Sequence, residues 1–244
     1  MFNTGYGQNH HVSISGGSEK TQFNLSVGYL DQDGIISIYN TKRYNLLFSL
    51  DTKVKDWITI GGNMRMTKED NRQDNFGDND FVMSAYSAPN YTPTMTLPDG
   101  TTGYVARYSQ SIGEWTVRNP DALLASGFRK INTYDIGAQL YADVKLSRNL
   151  SWFTKGAGGF VNIFNKRFEH AVNNYYFDNG SFAHNNGVWQ EGVRDLMSQN
   201  FLTTFYSTLN YTKSFGSHGL KVLLGYNQEA NYYRELYGSK ITFP

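Results

Sequence analysis

The sequence contains no cysteine, only five prolines and no long apolar run. Without cysteine, a disulfide framework and a thiolate metal site are both excluded. No stretch approaches the roughly 18 apolar residues that a transmembrane helix requires, so none is expected. A formal net charge of +1 gives no electrostatic reason to expect nucleic acid as a partner. Residues 1–5 lack the basic and apolar regions of a signal peptide, so none is expected either.

Aromatic residues and glycine are abundant instead, with 18 tyrosines, 16 phenylalanines and 24 glycines. A chain that is rich in aromatics and glycine but poor in proline has the composition of an outer-membrane β-barrel. Such barrels carry aromatic girdles and cross the membrane with alternating strands that leave no strong hydropathy signal. β-Sandwich lectins can have a similar composition, so composition alone leaves both classes open.

The segment 12–29 carries the clearest structural signal. Apolar and polar residues alternate strictly on both sides of a break that contains Gly16 and Gly17, and this pattern predicts a β-hairpin with one apolar face. We predict that this face contacts lipid. The apolar positions of this hairpin are Val12, Ile14, Phe23, Leu25 and Val27.

Three more hairpins are predicted, over residues 43–68, 133–165 and 198–233. Their apolar positions are also expected to face lipid: Leu46, Phe48, Ile136, Leu140, Val222 and Leu224. The alternate positions are polar and are expected to line a lumen: Arg43, Asn45, Arg65, Gln139, Asp143 and Lys145. Glycines interrupt the strand 150–165, so its facing is ambiguous and a β-bulge is expected there.

The predicted fold is all-β, a transmembrane antiparallel barrel segment of about eight long strands in four hairpins. Two polar segments, about 69–130 and 168–197, are expected to be long extracellular loops without regular pattern, and the short turns are expected to be periplasmic. Short helices are predicted near residues 80–87 and 120–126, the second with Pro120 in its first turn. All 244 residues are assigned to one barrel domain.

Aromatic residues occur near both ends of the predicted strands, which is where membrane interfaces favour them. Trp57, Trp152 and Phe215 lie beside short turns, whereas Tyr29 and Tyr44 lie towards the long loops. The alternative is that these are cross-strand aromatics of a soluble sheet.

Five segments resemble a known family: QNHHVSISGGSEKT, SVGYLDQDGII, KRYNLLFSLD, KDWITIGGN and LNYTKSFGSHGLKVLLGYNQE. Their sequences resemble the SusC-like (RagA-like) TonB-dependent outer-membrane transporters of Bacteroidota. The match spreads over most of residues 1–69 and 131–233, whereas the long loops match nothing specific.

The resemblance implies a much larger protein with a plug domain inside a barrel of about 22 strands. It implies uptake of an oligosaccharide or peptide, captured beneath a SusD-like surface lipoprotein and driven through TonB. The sequence shows no plug and no TonB-binding segment, so we expect an early wall section of the barrel in the outer membrane. TonB would act only through a plug that lies outside this sequence.

Neither a catalytic constellation nor a cofactor site is expected. His10 and His11 are neighbours on a strand and point to opposite faces, so they cannot share a metal ion. The acidic residues Asp70, Asp74, Asp78 and Asp80 lack the spacing of an EF-hand, and a solvated loop is the expected alternative to calcium binding. No Ser/His/Asp arrangement supports a hydrolase.

Loop aromatics are the candidate substrate contacts, because exposed rings in long loops can stack on sugars or peptide side chains. They are Tyr86, Tyr91, Tyr104, Trp115, Tyr175, Tyr176 and Trp189. Two further hypotheses remain open from sequence: a self-contained eight-stranded porin or adhesin-like barrel, and a soluble carbohydrate-binding β-sandwich.

Overall fold

The computed structural model describes residues 3–75, 94–110, 119–185 and 191–241. The elements are β1 (Gly7–Gly17), β2 (Thr21–Asp33), β3 (Asn40–Lys55), β4 (Ile58–Gln73), β5 (Thr94–Thr96), β6 (Thr102–Arg107), α1 (Pro120–Ala125), β7 (Gly127–Lys145), β8 (Leu150–Glu169), β9 (Asn173–Tyr176), β10 (Phe182–Asn185), β11 (Gly192–Phe215) and β12 (His218–Ile241). Within these ranges, no helix has the length and apolar character needed to cross a membrane.

Eight long strands form one antiparallel sheet in the order β1-β2-β3-β4-β7-β8-β11-β12. Strands that follow one another along the chain are also neighbours in this wall, apart from the four short strands inserted in the long connections. The four predicted hairpins are therefore confirmed, and the architecture is that of an antiparallel β-barrel segment.

The two outer strands of this wall, β1 and β12, are each paired on one side only. Within the described ranges no ladder joins them, so the sheet is open. A self-contained barrel must pair its first strand with its last, because unpaired backbone groups at an edge are costly in lipid. The hypothesis of a self-contained eight-stranded barrel is therefore wrong for this chain.

The pairing register gathers the apolar side chains on one face, because residues directly opposite in an antiparallel ladder point the same way. One row crosses the whole sheet through Val12, Val27, Leu46, Met66, Ile136, Phe160, Phe201 and Tyr232. The same register puts all eleven predicted lipid-facing residues on this apolar face: Val12, Ile14, Phe23, Leu25, Val27, Leu46, Phe48, Ile136, Leu140, Val222 and Leu224. Their contact with lipid itself stays a prediction.

Much of the apolar face is exposed within the described ranges. Leu140 is 71% exposed and Val12 is 64% exposed. A soluble β-sandwich would bury such side chains beneath a second sheet. The sandwich hypothesis is therefore wrong as well.

Aromatic side chains mark one end of the apolar face. Tyr29 and Tyr44 are cross-strand partners, with ring centroids 5.1 Å apart. The next position in that row is Lys68, whose Nζ lies 5.7 Å from the ring of Tyr44 and 5.9 Å from that of Tyr134. An ammonium group between two tyrosines suits the level at which a membrane meets water, where amphipathic side chains are favoured.

The opposite end carries Trp152, which shares the apolar face with its partner Val144. Trp57 lies in the β3–β4 turn, and Phe215 is the last residue of β11. Ten residues separate Tyr134 from Val144. This is about 33 Å of strand at ~3.3 Å per residue, or ~25 Å of height at a tilt of ~40°, the height of a membrane-facing band. A role of these five predicted belt residues at the interface stays a prediction.

The glycine-rich strand is regular, contrary to expectation. β8 pairs with β7 and with β11 from end to end without a register shift, so the bulge expected within 150–165 is absent. Gly156 and Gly158 lie on the apolar face opposite Leu140 and Ala138, and Gly159 lies on the polar face. The glycines interrupt the hydrophobic pattern but leave the backbone ladder intact.

The long connections are more ordered than the sequence pattern predicts. β4 continues to Gln73, β8 to Glu169, and β7 and β11 begin at Gly127 and Gly192, so each strand extends into a segment that we expected to be loop. The apolar alternation stops where both faces become polar, but backbone hydrogen bonds do not depend on that alternation. Ion pairs such as Lys68–Asp70, at 2.9 Å, occupy these strand ends instead.

Candidate functional site

The two long connections pair with each other. Within a second sheet of order β10-β9-β6-β5, β6 from the first connection runs parallel to β9 from the second. Tyr104 is the partner of Asn174, and Val105 that of Tyr175. We call β5, β6, α1, β9 and β10 together the loop module.

A small core stabilises the loop module. Val105, Ala106, Ala122 and Leu123 are buried, and Leu123 is only 1% exposed. The predicted helix near 120–126 is confirmed as α1, with Pro120 at its start. The expected helix near 80–87 lies outside the described residues.

Asn119 joins α1 to β6. Its Oδ1 accepts hydrogen bonds from the backbone N–H groups of Asp121 and Ala122, at 2.9 and 3.2 Å, and so caps the helix. Its Nδ2 donates to the carbonyl of Val105 at 2.9 Å. A single buried amide side chain therefore satisfies backbone groups of both elements.

The loop module is tied directly to the wall. The backbone N–H of His170, which follows β8, donates to the carbonyl of Ser126, which follows α1, at 2.9 Å. Beside this junction, Nδ2 of Asn75, which follows β4, donates to the carbonyl of Phe168 on β8 at 2.5 Å. Gly127 has φ of 143°, and a Cβ there would collide with Phe168 and Asn75. Glycine is therefore required where the chain leaves the helix and enters β7.

Three of the candidate substrate-contact residues meet in the loop module. Tyr104 and Tyr175 are partly exposed. Tyr176 is only 8% exposed; its hydroxyl accepts a hydrogen bond from Nη2 of Arg107 at 3.1 Å, and the guanidinium lies over its ring. Tyr176 thus has a packing role, and substrate contact by the other two stays a prediction. The remaining candidates, Tyr86, Tyr91, Trp115 and Trp189, lie outside the described residues.

Sequence reasoning missed an exposed aromatic pair. Tyr108 and Phe177 are 49% and 37% exposed, with ring centroids 6.0 Å apart. Two backbone hydrogen bonds, from the N–H of Phe177 to the carbonyl of Arg107 and from the N–H of Asp178 to the carbonyl of Tyr108, hold the two segments side by side. The two rings belong to different connections, so only the pairing of β6 with β9 reveals their proximity.

The polar face of the wall contains a row of three arginines next to the loop module. Arg129, Arg167 and Arg194 are direct partners on β7, β8 and β11. We call them the arginine row. The carboxylate of Glu169 forms ion pairs with Arg167 and, at 3.7 Å, with Arg194.

A second cluster lies farther along the polar face. The hydroxyl of Tyr141 donates to Oδ1 of Asp51 at 2.5 Å across Gly61, where a Cβ would collide with both side chains. The ring of Tyr141 stacks on that of Phe153, with centroids 5.7 Å apart. Asp135 and Arg65, one of the predicted lumen residues, form an ion pair at 3.4 Å. The wall surface opposite the apolar face is therefore polar and structured.

The acidic loop residues do not form a cluster among the described residues. Asp70 pairs with Lys68, and Asp74 accepts a hydrogen bond from the hydroxyl of Tyr39 at 2.9 Å. Asp78 and Asp80 lie outside the described residues. No group of three or more histidine or acidic side chains that would suit a metal ion occurs in the part that the structure describes.

His184 is expected to make the loop module sensitive to acid. Burial, and then the positive charge of Arg107, lower the pKa of His184 below its ordinary value. The unfolded module therefore binds a proton more readily than the folded one. We expect stability to be complete above pH ~6.5 and to fall as the pH drops below that value. Hydrogen exchange of β9 and β10 at pH 7.5 and 5.5, corrected for intrinsic rates, measures this loss.

Substitution of His184 by glutamine should remove the additional exchange at the lower pH. His218, the first residue of β12, is the matched control, since its replacement by glutamine should leave the pH response of β9 and β10 intact. An equal pH response in wild type and the His184 variant would contradict the assignment.

Known proteins are similar to this chain in sequence and in fold. The chain is 25% identical over 94% of its length to the TonB-dependent receptor P3 of Formosa agariphila, and 23% identical over 96% to the TonB-dependent receptor SusC of Bacteroides thetaiotaomicron. Structures of the RagAB peptide importer in its closed-closed and open-open states superpose on 96% of the chain with TM-scores of 0.70 and 0.69, at 16% and 17% identity. The chain is similar to part of a SusC-like TonB-dependent receptor. The resemblance inferred from its sequence is thereby confirmed.

The chain is short relative to these proteins. It spans 22% and 24% of the two receptors and 25% of the RagAB chain. No family model matches the sequence. The relatives are named as receptors and importers rather than enzymes.

Proposed function

We propose that this chain forms a wall section and an outer loop module of an outer-membrane transporter that imports peptides or oligosaccharides. The observation that carries the proposal is the open eight-stranded sheet, with one exposed apolar face and one polar face, which follows the RagAB fold along 96% of the chain. In this arrangement all 244 residues belong to one barrel domain. The apolar face contacts lipid and the polar face lines the path of the substrate.

The loop module would lie on the extracellular side, and the short hairpin turns on the periplasmic side. Accessible aromatic rings at the module, the partly exposed Tyr104 and Tyr175 and the exposed Tyr108 and Phe177, would contact the substrate where it enters. A SusD-like surface lipoprotein would close over this mouth, as the name RagAB suggests for a two-component importer. TonB would act through a plug beyond the sequence described here.

Uptake in a strain that lacks the gene tests the proposal. We expect loss of energised uptake of one substrate class, either dye-labelled peptides or dye-labelled oligosaccharides, and recovery on complementation. Removal of TonB from the wild-type strain should abolish the same uptake, because an energised gate does not open by diffusion alone. A surface-exposed acylated protein should co-purify with the receptor.

The control is a small solute that general porins admit, and its uptake should be unchanged in every strain. Uptake of the large substrate that persists without TonB would overturn the proposal in favour of a passive pore.

A further inference from the structure

The arginine row lies at a boundary within the structure. Arg129 is two residues after the start of β7, Arg194 two residues after the start of β11, and Arg167 two residues before the end of β8. All three are on the polar face, directly below the point at which the wall joins the loop module. A substrate that passed from the module along the polar face would therefore meet this row near the start of the wall.

The charges in this row do not cancel. Glu169 is the acidic partner of Arg167 and Arg194, and it is almost buried, with 9% of its side chain exposed. Arg129 donates its Nε to the neutral Oδ1 of Asn165 at 3.0 Å and forms no ion pair among the described residues. Three guanidinium groups thus face one carboxylate, which leaves an excess of about two positive charges.

One donor in the row also lacks an acceptor. Nε of Arg167 is buried and makes no hydrogen bond within the described part of the chain. A buried donor without an acceptor is costly, particularly on a charged group. An anion with two oxygens in one plane supplies the acceptors that a guanidinium group fits.

The flanking positions allow such a ligand to approach. The next residues of the row are Gln73 on β4 and Ser239 on β12, which are polar and uncharged. The side chains of Arg167 and Arg194 remain 36% and 37% exposed. The row is therefore positive, partly open to solvent and bordered by neutral hydrogen-bonding groups.

We propose that the arginine row binds a carboxylate group of the imported substrate. This inference rests on the proposed function and adds to it the charge of the substrate. Carboxylates occur on acidic peptides and on uronic-acid sugars, and the experiment separates these two sources. Glu169 orients two of the guanidinium groups, and it also competes for them.

Binding to the receptor purified in detergent tests the inference. The probes are tri-glutamate, the neutral tri-glutamine amide and tri-galacturonate, each carrying an uncharged dye. We expect one of the two acidic probes to bind at least about tenfold more tightly than the neutral probe, since hydrogen bonds to charged groups are the strong ones. That preference should shrink as sodium chloride rises from ~0.05 to ~0.5 M, because salt screens exposed charges. The preferred acidic probe identifies peptide or sugar as the source.

Two substitutions in the row should act in opposite directions. Arg194→Gln should weaken binding of the preferred acidic probe by about tenfold and leave the neutral probe unchanged. Glu169→Gln should tighten binding of that acidic probe, because it removes the competing carboxylate while keeping the side-chain volume. Damage to the fold would weaken binding in both variants, so tighter binding by the second variant separates recognition from stability.

Arg43→Gln is the matched control. Arg43 lies on β3, on the same polar face of the wall as the arginine row, but it pairs with Leu30 and Glu69 and is away from the row. Its affinity for every probe should equal that of the wild type. Equal affinity for acidic and neutral probes overturns the inference, as does an Arg43→Gln loss equal to that of Arg194→Gln. The uptake experiment tests the transporter function separately from this inference. If uptake depends on TonB but the receptor binds acidic and neutral probes equally well, only the inference about the arginine row is overturned.

Discussion

Leu140→Arg is expected to lower the free energy of unfolding of the membrane-inserted barrel by about 2–4 kcal/mol. Leu140 is 71% exposed on the apolar face, about midway between the tyrosine–lysine row at one end and Trp152 at the other. Its cross-strand partners are Gly62 and Gly156, which offer no polar group to a guanidinium. Denaturant titration of the complete barrel refolded into lipid vesicles measures the change.

The adjacent residue supplies the control. Gln139→Arg places the same group on the polar face, one position along the same strand, where Asn63 and Ala157 are the partners. We expect its effect to stay below ~0.5 kcal/mol, as for surface substitutions away from special features. Equal losses for both substitutions would show that the apolar face does not contact lipid.

Asn119→Ala should have the second large effect, confined to the loop module. The substitution removes a helix cap, which costs about 1 kcal/mol. It also leaves the carbonyl of Val105 without its donor in a buried position, at a further cost of about 1–3 kcal/mol. Hydrogen exchange should show α1 and β6 opening more easily by about 2–4 kcal/mol, while the wall strands keep their protection.

Two further variants separate these contributions. Asn119→Asp keeps the acceptor that caps α1 but loses the amide donor to Val105, so β6 should lose more protection than the helix. Asn173→Ala removes an exposed amide from β9 and should change little. If the wall strands lost protection together with the module, the two would unfold as one unit, contrary to the expectation.

The wall was predictable because its signal is local. In a strand, alternate side chains share a face. The sequence alone therefore shows that Phe23, Leu25 and Val27 point to the same side, whichever strand pairs with theirs. Once the facing of one residue is known, the same rule gives the facing of every other residue in the paired strands. It even resolves the strand around Gly158, where the sequence is ambiguous because glycine has no side chain to count.

Apart from α1, the loop module was not predictable, because its contacts join distant parts of the chain. Val105 and Tyr175 are neighbours through a parallel ladder between two connections, and no local pattern marks that pairing. The arginine row has the same origin, since Arg129, Arg167 and Arg194 come from three strands. In the sequence, polar residues near strand ends look like ordinary solvated loop residues. Only the pairing register shows that they lie side by side on neighbouring strands.

The parallel pairing of β6 with β9 has a mechanical consequence. Two segments that leave the wall at different strands share one sheet, so neither can swing outward without breaking hydrogen bonds to the other. The module meets the wall at Gly127 and at the hydrogen bond between Ser126 and His170. An outward movement of either segment would therefore have to carry the other with it, as long as the ladder between β6 and β9 stays intact.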